Sequence, residues 1–262
     1  MKNANRCRFV IVALIIAFFS GPDVALGQSD DTAAPAYPDP ARFEKSIQAF
    51  EAQDKKDSPP QGAIVCTGSS SIRLWHKKIA EDLSPLTVIP RGFGGSTMHD
   101  LLHFTDRVIL KYRPRAVVIY EGDNDTSHNI PTDQITEEFK LLCNKIHKSD
   151  TKIRIYFLAI KPSQQRVKLW PKAVQANQQI SKLCDNDKRL FYIDVASPLL
   201  DDQGKPKPEL FLKDKLHLNR LGYEKWTQIV RPILLKQERA FEVPAQQPPK
   251  SRSTSLTPPK GC

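Results

Sequence analysis

Apolar residues in this chain occur as short solid runs separated by longer stretches in which they recur every three or four positions. Ala63–Thr67, Leu86–Ile89, Ala116–Tyr120, Ile153–Ile160 and Leu190–Val195 are the solid runs. They are short, partly β-branched or aromatic and bounded by turn residues, so each reads as a buried strand, the second ended by Pro90. The periodic stretches read as helices. Phe43, Ile47 and Phe50 lie on one face over Phe43–Lys55, and Trp75, Ile79 and Leu83 recur every fourth residue to about Asp82. Met98–Lys111 carries Leu101, Leu102, Val108, Ile109 and Leu110. Thr132 caps an amphipathic helix with Ile135, Phe139, Leu142 and Ile146 inward; Ala173–Leu183 follows, and Asn219 opens a last helix through Trp226, Ile229, Val230 and Ile233. Strands alternating with helices imply βαβ units, hence an α/β fold with a parallel sheet covered on both faces.

In such a fold chemistry gathers where the strands end at their carboxyl side. The first strand ends at Gly68-Ser69-Ser70-Ser71, and Gly94-Gly95 follows the second. Gly122-Asp123-Asn124 follows the third, and Asp214 and His217 follow the fifth. Four polar clusters therefore fall on one edge of the sheet. Taken singly, each has an ordinary role: a capped turn, a flexible glycine pair, a turn asparagine, a packing histidine. Together they supply what acyl transfer needs: a nucleophile, a base, a group that orients the base, and donors for an oxyanion. Ser70 is the candidate nucleophile and His217 the base. Asp214, three residues earlier, can reach the far imidazole nitrogen in one turn. Asn124 offers an amide, and Gly95 a backbone N–H that no Cβ obstructs.

These motifs resemble those of the SGNH (GDSL-type) hydrolase superfamily, in particular the branch of the platelet-activating-factor acetylhydrolase catalytic subunits. The residues that carry the likeness are Gly68-Ser69-Ser70, Gly92-Phe93-Gly94-Gly95-Ser96-Thr97, Gly122-Asp123-Asn124-Asp125 and Asp214-Lys215-Leu216-His217-Leu218-Asn219, within about Gly62–Leu235. The resemblance implies a three-layer α/β/α sandwich with a five-stranded parallel sheet, flavodoxin-like in type. It implies hydrolysis of an ester or thioester through an acyl-enzyme, with no metal and no cofactor. It assigns the triad to Ser70, His217 and Asp214, and the oxyanion hole to the Ser70 and Gly95 N–H groups and the Asn124 amide. Ser69 stands where the family has Asp before the nucleophile, and that Asp is no triad member. Leu218 stands where a Pro frequently follows the histidine, a change expected to loosen the loop without removing a reactive group. With three adjacent serines, Ser70 is chosen by register.

Composition adds location and partners. Lys2, Arg6 and Arg8 precede an unbroken apolar run, Phe9–Phe19, and then Ala25-Leu26-Gly27, which reads as an export signal cleaved near Gly27. The run is too short for a bilayer-spanning helix, which needs about 20 residues. The expected organisation is a signal peptide at 1–27, a disordered linker at 28–40, a hydrolase domain at 41–240 and a disordered Pro-rich tail at 241–262. The product is then a periplasmic or secreted protein with no stable membrane span. The formal net charge is +10. No lysine/arginine run is interleaved with aromatics, so nucleic acid is not an expected partner. The cysteines left after cleavage, Cys66, Cys143, Cys184 and Cys262, make neither a disulfide framework nor a zinc pattern. The leading expectation is an exported serine esterase that removes a short acyl group, acetyl among them, from a carbohydrate or other small ester. The alternatives are a lysophospholipase or thioesterase, and a non-catalytic exported binding domain on the same fold.

Overall fold

The computed structural model describes residues 36–242. The expected signal peptide and most of the expected linker and tail lie outside them. In chain order the main elements are α1 (Glu44–Lys56), β1 (Ile64–Gly68), α2 (Ser70–Trp75), α3 (Ile79–Asp82), β2 (Val88–Gly92), α4 (Met98–His103) and α5 (Thr105–Val108). Next come β3 (Ala116–Tyr120), α6 (Asp123–Ser127), α7 (Thr132–Ser149), β4 (Arg154–Leu158), α8 (Trp170–Asp185), β5 (Leu190–Ile193) and α9 (Arg220–Glu238). The five strands form one parallel sheet in the order β2-β1-β3-β4-β5. Strand residues alternate between two cores. Val65, Val117, Ile119, Ile155 and Phe157 meet α1, α4, α7 and α8 through Ile47, Leu101, Phe139 and Ile180. Cys66, Val118, Tyr120, Tyr156 and Leu158 meet α2, α3 and α9 through Ile72, Trp75, Ile79, Trp226 and Val230. The α/β/α sandwich expected from the alternation is the architecture found. Both faces being covered is why the strands are apolar throughout rather than alternating.

Several boundaries differ from the sequence reading. Pro90 does not end the second strand but lies inside β2, opposite Cys66. β2 is an edge strand, so the missing proline N–H faces no neighbour and costs no ladder bond. Met98–Lys111 is not one helix: α4, α5 and a 3-10 turn at Leu110–Tyr112 share the stretch. Thr132 is the first residue of α7, and Pro131 occupies the cap position with no side-chain cap bond. Residues expected to be linker pack on the domain: the Tyr37 hydroxyl donates to Asp125 (2.9 Å), its ring stacks on His99, and a 3-10 turn begins at Pro40. At the other end Glu242 accepts from Thr87 N (3.1 Å) and pairs with Arg115. Cys66, Cys143 and Cys184 are free thiols. Among the described residues no helix is long and apolar enough to cross a membrane.

Candidate active site

The ends of β1, β2 and β3 are level: Gly68 pairs with Gly92 on one side and Tyr120 on the other. The chain must turn sharply there. Gly68 has φ +126°, and a Cβ on it would sit 2.1 Å from the Tyr120 carbonyl oxygen, so only glycine fits. Ser69 N donates to that same oxygen (3.0 Å), and α2 starts at the next residue. The turn separates the three serines. Ser69 and Ser71 are each 1% exposed, while Ser70 is only half-buried. The capped turn, the ordinary role open to this stretch, is not formed by Ser69, which at the cap position makes no side-chain cap bond.

His217 comes from the loop between β5 and α9. Asp214 Oδ1 accepts from the Leu216 and His217 backbone N–H groups (3.0 Å each), and Lys215 takes the left-handed conformation at φ +58°. This is an Asp-nucleated turn, in which a short carboxylate substitutes for backbone acceptors. Leu212 N donates to His217 O (2.7 Å), and Phe211 bridges Leu218 in antiparallel fashion. Asn219 ties the loop to α9: its Oδ1 accepts from Gly222 N (3.1 Å) and its Nδ2 donates to the Glu209 and Phe211 carbonyls. Leu218 therefore does not leave the loop loose; it is buried and part of the bridge.

The imidazole joins two segments 147 positions apart in the chain. His217 Nε2 is 2.9 Å from Ser70 Oγ, and Nδ1 is 2.7 Å from Asp214 Oδ2. Burial pushes the Asp214 carboxyl up, but the His217 imidazole and the His217 and Leu216 N–H groups outweigh it and hold it at about 2. An ionised Asp214 fixes the proton on Nδ1 and leaves the Nε2 lone pair facing the Ser70 hydroxyl.

Gly95, at φ +92°, is exposed, and neither its N–H nor that of Ser70 makes a backbone hydrogen bond among the described residues. Asn124 lies on the first turn of α6. Its Nδ2 donates to Ser96 O (2.9 Å), which ties it to the glycine loop and leaves the second N–H of the amide without a partner among the described residues. Its Oδ1 accepts from Arg166 Nη2 (3.0 Å), and Arg166 Nη1 donates to Asp123 O (2.8 Å) and Oδ1 (2.6 Å). The guanidinium thus fixes which end of the Asn124 amide is the donor end. Asp123 is also held by buried Lys161 (3.1 Å); desolvation would raise its carboxyl, and the two cations bring it below the usual range. Under the loop, Ser96 Oγ donates to Glu121 Oε1 (2.5 Å). Burial, with Asp125 nearby, pushes the Glu121 carboxyl well above its ordinary range.

All five residues selected from the sequence thus lie at one edge of the sheet, and Ser70, His217 and Asp214 form one hydrogen-bonded line. Arg166, Lys161 and Glu121 were missed. Arg166 and Lys161 lie in an irregular segment after β4 that shows no motif; a buried-charge argument could flag Lys161 only once the burial is known. Among the described residues no group of three His, Cys, Asp or Glu is placed to hold a metal ion.

The sequence profile of the GDSL-like Lipase/Acylhydrolase family matches residues 57–225. The chain is similar to platelet-activating factor acetylhydrolase IB subunit alpha1 of Rattus norvegicus, 29% identical over 187 residues that cover 70% of this chain and 78% of that protein. The human protein of the same name is 27% identical, with coverage of 70% and 79%. In fold the chain resembles a GDSL-like lipase from Bacteroides thetaiotaomicron, with a TM-score of 0.61, 18% identity, and coverage of 76% of this chain and 98% of that one. It also resembles an acetyl-xylooligosaccharide esterase from Geobacillus stearmophilus, with a TM-score of 0.53, 12% identity, and coverage of 68% and 94%.

Proposed function

The chain belongs to the GDSL-like lipase/acylhydrolase family and is an SGNH-type ester hydrolase, and we propose that it is an exported serine esterase that removes a short acyl group, acetyl first among them, from a small or carbohydrate ester. The observation that carries the reading is the line from Ser70 Oγ to His217 Nε2 (2.9 Å) and from His217 Nδ1 to Asp214 Oδ2 (2.7 Å). Neutral His217 takes the Ser70 proton as Oγ adds to the ester carbonyl. Asp214 stabilises the imidazolium that forms and keeps the ring in place. The tetrahedral oxyanion is met by the Ser70 and Gly95 N–H groups and the free N–H of Asn124. His217 then protonates the departing alcohol, and water, activated by the same imidazole, releases the acid from Ser70. The acetyl preference is supported by the name of the curated relatives, acetylhydrolase. The carbohydrate part leans on the export expectation and on a structural neighbour named for acetyl-xylooligosaccharides. Export rests on the basic and apolar start of the chain, Lys2 to Phe19.

The test is labelling by a fluorophosphonate together with turnover of nitrophenyl esters of increasing acyl length. Ser70→Ala should abolish labelling and lower kcat on the order of 10⁴–10⁶-fold. Wild-type activity should be greatest on acetate and fall with chain length. Persistence of labelling in Ser70→Ala refutes the nucleophile. A rate that climbs with acyl length turns the reading towards a lysophospholipase or thioesterase, and a protein that neither labels nor turns over any ester is a binding domain.

A further inference from the structure

We propose that the mouth of this site is built for an ester that carries a negative charge near the scissile bond, with the Arg73 guanidinium as its main contact. The inference rests on the reading of Ser70 as nucleophile. Arg73 lies three residues beyond Ser70 on α2, a spacing that puts the two side chains on neighbouring positions of one helix face, their Cβ atoms about 5–6 Å apart. The guanidinium end rests on the glycine loop. A Cβ built on Gly94 would meet Arg73 Nε at 2.5 Å, and Cζ and Nη2 at 3.3 Å each. The absence of a side chain at Gly94 thus makes the space in which the cation lies, one residue from the Gly95 N–H.

Among the described residues Arg73 also lacks a counter-ion. The guanidinium groups of Arg91, Arg107, Arg154 and Arg220 are all matched to carboxylates. Arg73 is exposed and makes no ion pair or side-chain hydrogen bond among the described residues. The acids around the site are committed elsewhere: Asp214 to His217, and Asp123 to Lys161 and Arg166. On the His217 side, exposed Lys213 and Lys215 flank Asp214. They share with Gln164, Pro208, Phe211 and Leu212 the lining of an open cleft of about 400 Å³. Arg73 on the glycine-loop side and Lys213 and Lys215 in the His217 loop bring positive charge to two sides of the Ser70–His217 pair, which favours anionic substrates there. A guanidinium free of other partners can also grip a carboxylate or phosphate with two parallel hydrogen bonds. An arginine that served only solubility would have no reason to be seated on the loop that borders the reaction centre.

The experiment compares matched acetyl esters: 3-acetoxybenzoate and 3-acetoxyphenyl phosphate against the neutral methyl 3-acetoxybenzoate and phenyl acetate. In wild type, kcat/KM for the anionic member should exceed the neutral one by about 3- to 10-fold at low salt, and the ratio should approach one by about 0.5 M NaCl. The carboxylate and phosphate arms show which anion is preferred. Arg73→Gln should bring the ratio to about one, and Arg73→Lys should keep a part of it. Equal turnover of both members by wild type overturns the inference and leaves the esterase reading standing. So does an unchanged ratio in Arg73→Gln, including one that disappears only when Lys213 and Lys215 are both replaced by Gln. Turnover of no ester, with no labelling of Ser70, overturns the esterase reading and this inference with it.

Discussion

Arg166 touches no reacting atom in the proposed mechanism, yet it should control the rate through Asn124. Its fork donates to Asn124 Oδ1 at 3.0 Å and to Asp123 at 2.8 and 2.6 Å. In Arg166→Ala the Asn124 amide loses the partner of its oxygen and keeps only the bond from Nδ2 to Ser96 O (2.9 Å). A hydrogen bond to a charged group is worth about 1.5–3 kcal/mol, and only a share of the fork acts on Asn124. We expect kcat to fall about 10- to 100-fold with KM little changed, since each 1.36 kcal/mol is a factor of ten. The ceiling is the loss in Asn124→Ala, about 10²–10³-fold for one oxyanion donor. Asp123 retains Lys161 at 3.1 Å, so no buried carboxylate is stranded and the fold should survive. Arg166→Lys keeps the charge beside Asp123 but has no planar fork to span both residues, so it should recover stability and little of the rate. The deciding assay is a double-mutant cycle on acetyl ester hydrolysis, with the folded fraction measured by near-UV circular dichroism. If Arg166 acts through Asn124, the double variant Arg166→Ala/Asn124→Ala should be no slower than Asn124→Ala alone, within about twofold. Losses that multiply would refute the reasoning, as would full activity in Arg166→Lys together with a rate loss in Arg166→Ala that follows the folded fraction.

Two further outcomes concern stability. His76 Nε2 accepts from Gly92 N (2.8 Å); burial, aided by Arg91 and Arg73, brings its pKa down to about 4. The unfolded chain takes up this proton near the ordinary 6.5, so stability is full above about pH 6.5 and declines as pH falls to 4. The decline amounts to at most on the order of 3 kcal/mol, less whatever solvent screens. His76→Gln keeps an acceptor that does not titrate and should flatten the urea-unfolding curve in that window; parallel curves for the two proteins would refute the assignment. Gly68→Ala forces a Cβ to 2.1 Å from the Tyr120 oxygen at φ +126°. It should cost on the order of 3 kcal/mol or more in chemical denaturation, and a change under about 1 kcal/mol would show that the turn can relax.

Local chemistry was enough for much of this protein. β3 occupies the same residues in structure and in sequence, Ala116–Tyr120, because a β-branched run buried on both sides needs no outside information to be recognised. The face of α7 that carries Ile135, Phe139, Leu142 and Ile146 is the buried one, as its period requires. Asp214 and His217 are three residues apart, so their bond lies within a single turn. Tertiary structure decided what depends on distant neighbours. Pro90 could stay in a strand only because β2 has no partner on its outer side. Which serine faces His217 depends on a bend set by Tyr120, a residue of another strand. The seat of Tyr37 on Asp125 spans 88 residues, and that of Arg166 on Asn124 spans 42. No periodicity records such pairings, because an arginine or tyrosine side chain has the same local propensity whether its partner is water or a buried carboxylate, and only the packed sheet brings the partner within reach.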